Sequence, residues 1–391
     1  MSGVGERSRR WAPVAAYALL AAATQLLWLT YAPLTTASAH HYHVSETAIG
    51  WLAELFPLLY VVLALPAGRL LDRSFHRWLA VGAVLTALGG VARLAGTSDF
   101  GWALLGQLLV ATGQPLVLNS VTKVAGEHLP PALRPHGIAA GSAGVFAGML
   151  LALVLGTVFG GAHLDALLEL QAAFAVVAAL AVLATTRGSS TVATPSTTVG
   201  VVALREVWAD RGVRVLAGLL FLGFGAFIAL TTWLQALLHN YRVSSTTAGT
   251  LLVAMVLAGA IGAAALPPLV VNRRAERRIV GASVVVTVAG GLLLAFEHAV
   301  ALDAVVLVPI GLLLLTDLPV ILELSERRSG ASAGTVTALM WLAGNAGGLL
   351  VALLVQLLVH HPTPAFLLLA AVSLCATPLV LALTPEEAPQ R

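Results

Sequence analysis

The side chains that could recognise a ligand in this sequence are polar and aromatic residues set inside long apolar runs. Gln25, Trp28 and Tyr31 follow one another at intervals of three residues in the first run. An indole face attracts organic cations, and amide and phenol groups form directional hydrogen bonds. Gln107 and Gln114 lie one heptad apart in a later run, so both amides fall near one face of a helix. These types indicate recognition of a small solute, although a hydrogen bond joining two helices is the simpler role for Gln107.

Three ionisable residues also lie within apolar runs: Glu54, Arg93 and Asp317. Charged groups at membrane depth are costly and therefore mark functional positions by default. Glu54 and Arg93 fall at similar depth in neighbouring predicted helices, so a structural ion pair and a functional site fit them equally well. Asp317 is followed by Pro319, which frees backbone groups. Its carboxyl group suits either a structural role or the handling of a proton or cation.

The composition identifies the class of protein. Hydrophobic residues make up 59% of the 391 residues, charged residues make up 10%, and the mean hydropathy is +0.93. A soluble domain carries about 25% charged residues, so this chain is expected to be a helical membrane protein with several spans. The sequence contains no nucleotide-binding loop, metal-binding motif or nucleophile elbow, and its single cysteine excludes an internal disulfide. We therefore expect no enzymatic activity, no cofactor, no metal site and no nucleic-acid partner.

Apolar runs of about 20 residues can cross a bilayer, and the sequence contains twelve such candidates. Their expected limits are 11–37, 46–71, 76–96, 100–126, 133–159, 164–186, 212–239, 244–271, 277–297, 301–324, 330–358 and 362–384. The connections are short except for the central one, whose "GSSTVATPSTT" is typical of a flexible linker. The runs predict an all-α membrane protein with twelve transmembrane helices.

The positions of the basic residues predict the orientation. Cytoplasmic segments of membrane proteins carry an excess of Lys and Arg. With the N-terminus inside, 19 of the 21 basic residues fall in or next to cytoplasmic segments, and the exceptions are Arg93 and Arg242. We expect a multi-pass protein of the cell membrane whose two termini are both cytoplasmic, surrounded by lipid and monomeric.

The two halves of the sequence repeat each other. "HYHVSETAIGWL" at 41–52 aligns with "NYRVSSTTAGTL" at 240–251, and in each segment a serine (Ser45, Ser244) is placed to cap the next helix. Two six-helix halves in the same orientation, joined by a cytoplasmic linker, resemble the architecture of the major facilitator superfamily. The expected domains are an N-terminal bundle at 1–190, a linker at 191–211 and a C-terminal bundle at 212–391.

"GRLLDRSFHRW" at 68–78 is similar to the inner-loop signature of that superfamily. Gly68 and Leu70 match the pattern, whereas Phe75 replaces its usual glycine. The resemblance implies that Asp72, Arg73 and Arg77 act in gating, through ion pairs that hold the inner side shut. Anchoring of the arginines to lipid headgroups is the alternative.

Within the superfamily, the chain resembles the feline leukaemia virus subgroup C receptor-related transporters, whose members have been linked to haem and to choline or ethanolamine. The similar segments are "RRWAPVAAYALLAAATQLLWLTYAP" (9–33), "AIGWLAELFPLLYVVLALPAGRLLDR" (48–73), "TALGGVARLAG" (86–96), "GQLLVATGQPLVLNSVTKVAGEHLP" (106–130) and "DLPVILELSERRSGASAGTVTALM" (317–340). In that family a tryptophan of the first helix and a glutamine of the fourth contact a choline-like ligand. The matching positions are Trp28 and Gln114.

The sequence departs from the family in two places. The position at which the family has an aromatic residue in the seventh helix is occupied here by Ile228, so Trp233 or Trp341 would have to complete an aromatic cage. In addition, Glu54 occupies a position at which the family has an apolar residue. The resemblance implies a secondary transporter of a small organic solute, such as a choline-like amine, that works by alternating access. Trp28 and Gln114 would bind the solute together with Gln25 and Tyr31, and Asn345 and Trp341 would be the contribution of the second half. A proton-coupled exporter of drugs or metabolites, with Glu54 or Asp317 titrating, is the alternative.

Overall fold

The computed structural model describes residues 2–130, 133–186, 207–272, 274–297, 299–329 and 333–383. The chain forms two compact units, Met1–Thr198 and Val199–Arg391. Most of the predicted linker, residues 191–206, lies outside the described residues, as does the side chain of Asp72.

Eight α-helices are described in the N-terminal unit. They are α1 (Ser2–Trp28), α2 (Thr35–His41), α3 (Glu46–Arg73), α4 (Phe75–Ala92), α5 (Phe100–Leu118), α6 (Val121–His128), α7 (Arg134–Phe159) and α8 (Leu164–Thr186). Helix α1 packs against α7 and α8, whereas α5 packs against both α3 and α4, and α4 also contacts α8.

Seven further α-helices are described in the C-terminal unit. They are α9 (Arg211–Asn240), α10 (Ser245–Asn272), α11 (Glu276–Phe296), α12 (Val300–Ser329), α13 (Ala333–Gln356), α14 (Pro362–Leu374) and α15 (Thr377–Ala382). The pairs α9 with α13, α10 with α12, α11 with α12 and α11 with α14 repeat the pairs α1 with α7, α3 with α5, α4 with α5 and α4 with α8. The internal repeat of the sequence is therefore also a repeat of helix packing.

The prediction of an all-α membrane protein is confirmed. Among the described residues, twelve segments are long and apolar enough to cross a membrane, and their limits lie close to the predicted ones except at the end of the fourth and at the start of the eleventh, which begins at Ala338. The second and sixth agree at both ends, at Glu46–Leu71 and Leu164–Thr186. The fourth is shorter than predicted, because α5 stops at Leu118 and the chain turns at Asn119 before α6. The amide of Asn119 holds this turn against α3, accepting from the Tyr60 hydroxyl at 2.9 Å and donating to the Ala64 carbonyl at 3.2 Å.

The first span is interrupted in the middle. Helix α1 ends at Trp28, a 3-10 turn covers Ala32–Leu34, and α2 begins at Thr35. Pro33 has no backbone N–H to continue an α-helix, so a break near it agrees with the sequence. The break ends the helix that carries Gln25 and Trp28 and gives Tyr31 a different direction.

The repeated segments adopt the same backbone conformation. His43 and Arg242, which align in the repeat, both have positive φ angles, of 54° and 62°. In each case the next valine N–H bonds the carbonyl five residues earlier, from Val44 to Ala39 at 3.0 Å and from Val243 to Leu238 at 3.2 Å. This is the Schellman ending of a helix. Ser45 then caps α3 through the Ala48 N–H at 3.2 Å, and the Ser244 hydroxyl accepts from the Thr247 N–H at 3.1 Å.

Candidate functional site

Trp28, the last residue of α1, is held in place by α3. Its side chain is 6% exposed, and its indole N–H donates to the Ala53 carbonyl at 3.0 Å. The ring centroid lies 6.1 Å from that of Phe56, with the ring planes tilted by 32°. The indole N–H is thus occupied by the protein, and the π face is the part of Trp28 that can still attract a cation.

Gln25 and Tyr31, the neighbours proposed for Trp28, are placed differently from each other. Gln25 is 2% exposed, and its amide nitrogen lies 3.4 Å from the Thr24 hydroxyl, which is a long hydrogen bond. Tyr31 lies beyond the break in the first span, and its hydroxyl is 3.3 Å from that of Tyr42 in a buried apolar cluster that includes Leu52. Gln25 therefore lies on the same helix as Trp28, whereas Tyr31 packs in a buried cluster of the N-terminal unit.

The two glutamines of α5 have different environments. Gln107 is fully buried, and its amide nitrogen lies 3.4 Å from the Leu52 carbonyl of α3, as expected for a contact that joins two helices. Gln114 is 4% exposed, and within the described part of the chain its side chain makes no hydrogen bond. A buried amide without a protein partner leaves its donors and acceptor available to a ligand.

Arg93, which directly follows α4, is fixed by neutral partners in the turn after α1 and on α8. Its guanidinium donates to the Thr30 hydroxyl at 3.0 Å and to the Gln171 side-chain oxygen at 3.3 Å, and the Thr30 hydroxyl donates to the same Gln171 oxygen at 2.7 Å. All three side chains are buried. The described hydrogen bonds of Arg93 thus join the break in the first span to the end of α4 and to α8 instead of reaching Glu54. Glu54 itself is fully buried on α3, next to the Ala53 carbonyl that Trp28 contacts.

Sequence reasoning missed Thr30 and Gln171 as partners of Arg93. A signal was available for Gln171, because it is an amide within the apolar run of α8 and polar groups in such runs usually find partners. No sequence pattern could show that its partner would be Arg93, which is 78 residues away.

The aromatic candidates of the C-terminal unit differ in access. Trp233 on α9 is fully buried, and among the described residues its indole N–H has no partner. Trp341 on α13 is partly exposed and packs edge-on against Phe224, with ring centroids 6.2 Å apart at 89°. The Asn345 amide, one turn further on, donates to the Trp341 carbonyl at 2.9 Å. Of the two tryptophans, Trp341 is therefore the more accessible to a solute.

Asp317 on α12 is part of a polar cluster buried between helices. The Asp317 side chain is 6% exposed, and Ser283 of α11 lies beside its carboxylate. Thr287 follows one turn later on the same face of α11. The oxygen atoms Ser283 Oγ, Thr287 Oγ1 and Asp317 Oδ1 are all buried without hydrogen-bond partners among the described residues. A buried carboxylate beside a serine hydroxyl is able to take up a proton or a monovalent cation.

The side chains of the proposed gating loop are only partly described. Arg73 at the end of α3 and Arg77 in α4 are exposed. Exposure agrees equally with pairing to a neighbouring charged group and with contact to lipid headgroups.

Comparison with known proteins identifies the family. The profile of the Major Facilitator Superfamily matches residues 14–352. Solute carrier family 49 member A3 of Danio rerio is 28% identical over 273 residues, which are 65% of this chain and 57% of that protein. The human choline/ethanolamine transporter FLVCR2 is 30% identical over 120 residues, 30% of this chain and 23% of that protein. The chain thus matches less than two thirds of the length of either relative.

Solved structures show the same fold. A bacterial homologue of the human lysosomal transporter Spinster has a TM-score of 0.71 at 16% identity, covering 98% of this chain and 96% of its own. The nucleoside transporter NupG has a TM-score of 0.72 at 14% identity, covering 95% and 99%. The profile match over residues 14–352, together with the twelve apolar spans found among the described residues, establishes that the chain is a membrane protein of the major facilitator superfamily, a family of transporters, and is related to the FLVCR proteins.

Proposed function

We propose that this protein is a secondary active transporter that moves a small organic cation of the choline type by alternating access. Two observations carry the proposal: the ring of Trp28 is fixed by Ala53 and Phe56, and the buried amide of Gln114 makes no hydrogen bond within the described residues. A fixed indole face is worth about 2 kcal/mol to a desolvated ammonium group. The Gln114 amide is suited to the hydroxyl of the same ligand, and the relatives named as choline/ethanolamine transporters support this substrate class.

The remaining features of the proposal follow from the charges and the repeat. Residues 1–190 and 212–391 act as two six-helix bundles joined by the linker at 191–211. Both termini are cytoplasmic in the cell membrane, because 19 of the 21 basic residues then lie on the cytoplasmic side. The protein works as a monomer, without enzymatic activity. The partly exposed Trp341 and Asn345 are the contribution of the C-terminal unit to solute binding.

Uptake of labelled choline into proteoliposomes tests the substrate and the two residues. Replacing Trp28 by alanine is expected to weaken choline binding about thirty-fold, which is the equivalent of about 2 kcal/mol. Replacing Gln114 by alanine is expected to weaken it roughly three- to ten-fold, the worth of one hydrogen bond. Trp51→Ala is the matched control, because Trp51 is an exposed tryptophan of α3 that lies outside the proposed site.

Two choline analogues separate the roles of the residues. Ethyltrimethylammonium lacks the hydroxyl group, so Gln114→Ala should leave its binding unchanged. The neutral analogue 3,3-dimethylbutanol lacks the charge, so Trp28→Ala should weaken its binding far less than that of choline. The choline proposal fails if the wild-type protein neither transports choline nor is inhibited by it. The assignment of Trp28 fails if Trp28→Ala and Trp51→Ala transport choline equally well.

A proton-coupled transporter is the second candidate, favoured by the buried carboxylate of Asp317 beside Ser283. Proton coupling requires a group that is charged in one state of the transport cycle and neutral in another. Replacing Asp317 by asparagine is expected to abolish accumulation driven by a pH gradient, while exchange of labelled for unlabelled solute continues. Accumulation that is equally dependent on the pH gradient in Asp317→Asn and wild type would exclude Asp317 as the coupling group.

A further inference from the structure

Two histidines and a glutamate meet where α4 begins and α6 ends. His76 lies in the first turn of α4, and Glu127 and His128 are the last residues of α6. One potential ligand atom from each side chain lies within 4.8 Å of the other two, and His76 Nε2 is 3.0 Å from Glu127 Oε2. The three residues belong to the N-terminal unit, at the end that carries Arg73, Arg77 and Lys123.

His76, Glu127 and His128 do not form an ordinary hydrogen-bonded ion pair. Among the described residues, His76 Nε2, Glu127 Oε2 and His128 Nε2 are buried atoms without a hydrogen-bond partner. Although His76 and Glu127 approach to 3.0 Å, their angle does not satisfy hydrogen-bond geometry. The side chains of His76 and Glu127 are only 27% and 23% exposed. Three potential ligand atoms thus converge at buried positions.

The tautomer of His128 favours metal binding. Its Nδ1 lies 3.1 Å from the Val124 carbonyl oxygen, one turn earlier in α6. A carbonyl can only accept, so Nδ1 carries the proton, and Nε2 of the neutral ring is left with a free lone pair. Histidines that bind metals commonly donate their second N–H to a backbone carbonyl in this way, which fixes the ring orientation.

We infer that His76, Glu127 and His128 form a binding site for a divalent transition-metal ion of the zinc type. Two imidazoles and one carboxylate are a common ligand set for zinc, and a tetrahedral ion with bonds of about 2.0–2.1 Å holds its ligands roughly 3.3 Å apart. The 3.0 Å contact between His76 and Glu127 is close to this separation, and the His128 atom, which lies within 4.8 Å of both, would move closer when the ion binds. Water takes the fourth position. The calcium and magnesium ions prefer oxygen ligands and fit this site poorly.

Because the site lies beside the proposed gating loop, a bound metal ion would affect the movement of that loop. The bound ion would connect the start of α4 to the end of α6, next to the turn at Ser74, which lies between the proposed gating residues Arg73 and Arg77. These elements must move independently if the loop opens and closes during transport. The ion is therefore expected to hold the loop in one position. Metal binding itself does not depend on the identity of the transported solute.

Zinc binding to the purified full-length protein, without a polyhistidine tag, tests the inference. Titration with Zn²⁺ in competition with a chromophoric chelator should reveal one site per chain. The single variants His76→Gln, Glu127→Gln and His128→Gln should each weaken it at least ten-fold. His136→Gln is the matched control, because His136 is an exposed histidine at the start of α7 at the same end of the unit. It should bind zinc like the wild type.

A second measurement separates binding from folding defects. Zn²⁺ should raise the thermal unfolding temperature of the wild type and of His136→Gln, and should leave that of the three site variants unchanged. Size-exclusion chromatography identifies any variant that fails to fold, and the other two then decide. Equal zinc affinity in all variants, or a response to zinc in none of the proteins, would show that His76 and Glu127 form a metal-free pair and would overturn the inference.

Discussion

Replacing Gly148 by alanine is expected to lower the free energy of unfolding by about 2–3 kcal/mol. Gly148 lies on α7 where that helix packs against α1. A Cβ at this position would overlap the carbonyl oxygen of Ala22 and lie 2.7 Å from its Cα. These are backbone atoms, so the clash cannot be relieved by rotating a side chain. The helices must separate, and the packing that drives their association in lipid is lost.

The matched control, Gly126→Ala, is expected to change the free energy of unfolding in the opposite direction. At Gly126 in α6, an added Cβ meets no atom within 4 Å. Gly126→Ala should raise the free energy of unfolding by up to about 1 kcal/mol, because alanine favours a helix more than glycine does. Titration with SDS in mixed micelles, followed by circular dichroism, measures both variants. If Gly148→Ala were as stable as Gly126→Ala, the close contact of α1 and α7 would be contradicted.

Replacing Arg93 by alanine is expected to destabilise the protein by about 3 kcal/mol. Two hydrogen bonds, to Thr30 and Gln171, contribute about 0.6–1.7 kcal/mol each within a membrane. The long side-chain stem also fills space beside Gly106, where an added Cβ would lie 3.1 Å from Arg93 Cδ. Truncation leaves a cavity there, and emptying a buried site of this size costs roughly 2–5 kcal/mol. Relief of the desolvation cost of the guanidinium offsets part of the total.

Replacing Arg93 by methionine separates these contributions. Methionine fills most of the volume of the stem but cannot donate a hydrogen bond, so Arg93→Met should cost about 1 kcal/mol. The same SDS titration distinguishes the two variants. Equal losses for alanine and methionine would show that the packing against Gly106 contributes nothing. No loss in either variant would contradict a stabilising role for the contacts of Arg93 with Thr30 and Gln171.

The comparison of Gln107 with Gln114 shows where prediction from the sequence stops. Their heptad spacing places both amides near one face of α5, and this is a local property of the helix. Contact with α3 then engages Gln107 at the Leu52 carbonyl, whereas Gln114 has no protein partner among the described residues. The difference depends on the depth and rotation of a neighbouring helix, which no pattern within α5 contains.

The sequence by itself determined the twelve apolar spans, the caps at Ser45 and Ser244 and the repeat of the two halves. All of these depend on hydropathy or on interactions between residues a few positions apart. Only the tertiary structure decided that the Trp28 N–H is bound by Ala53, that Arg93 bonds Gln171, and that His76 meets His128. Helices in a bilayer are driven to span it by their apolar surface. Which polar atoms then meet is settled by close contact between helices distant in sequence.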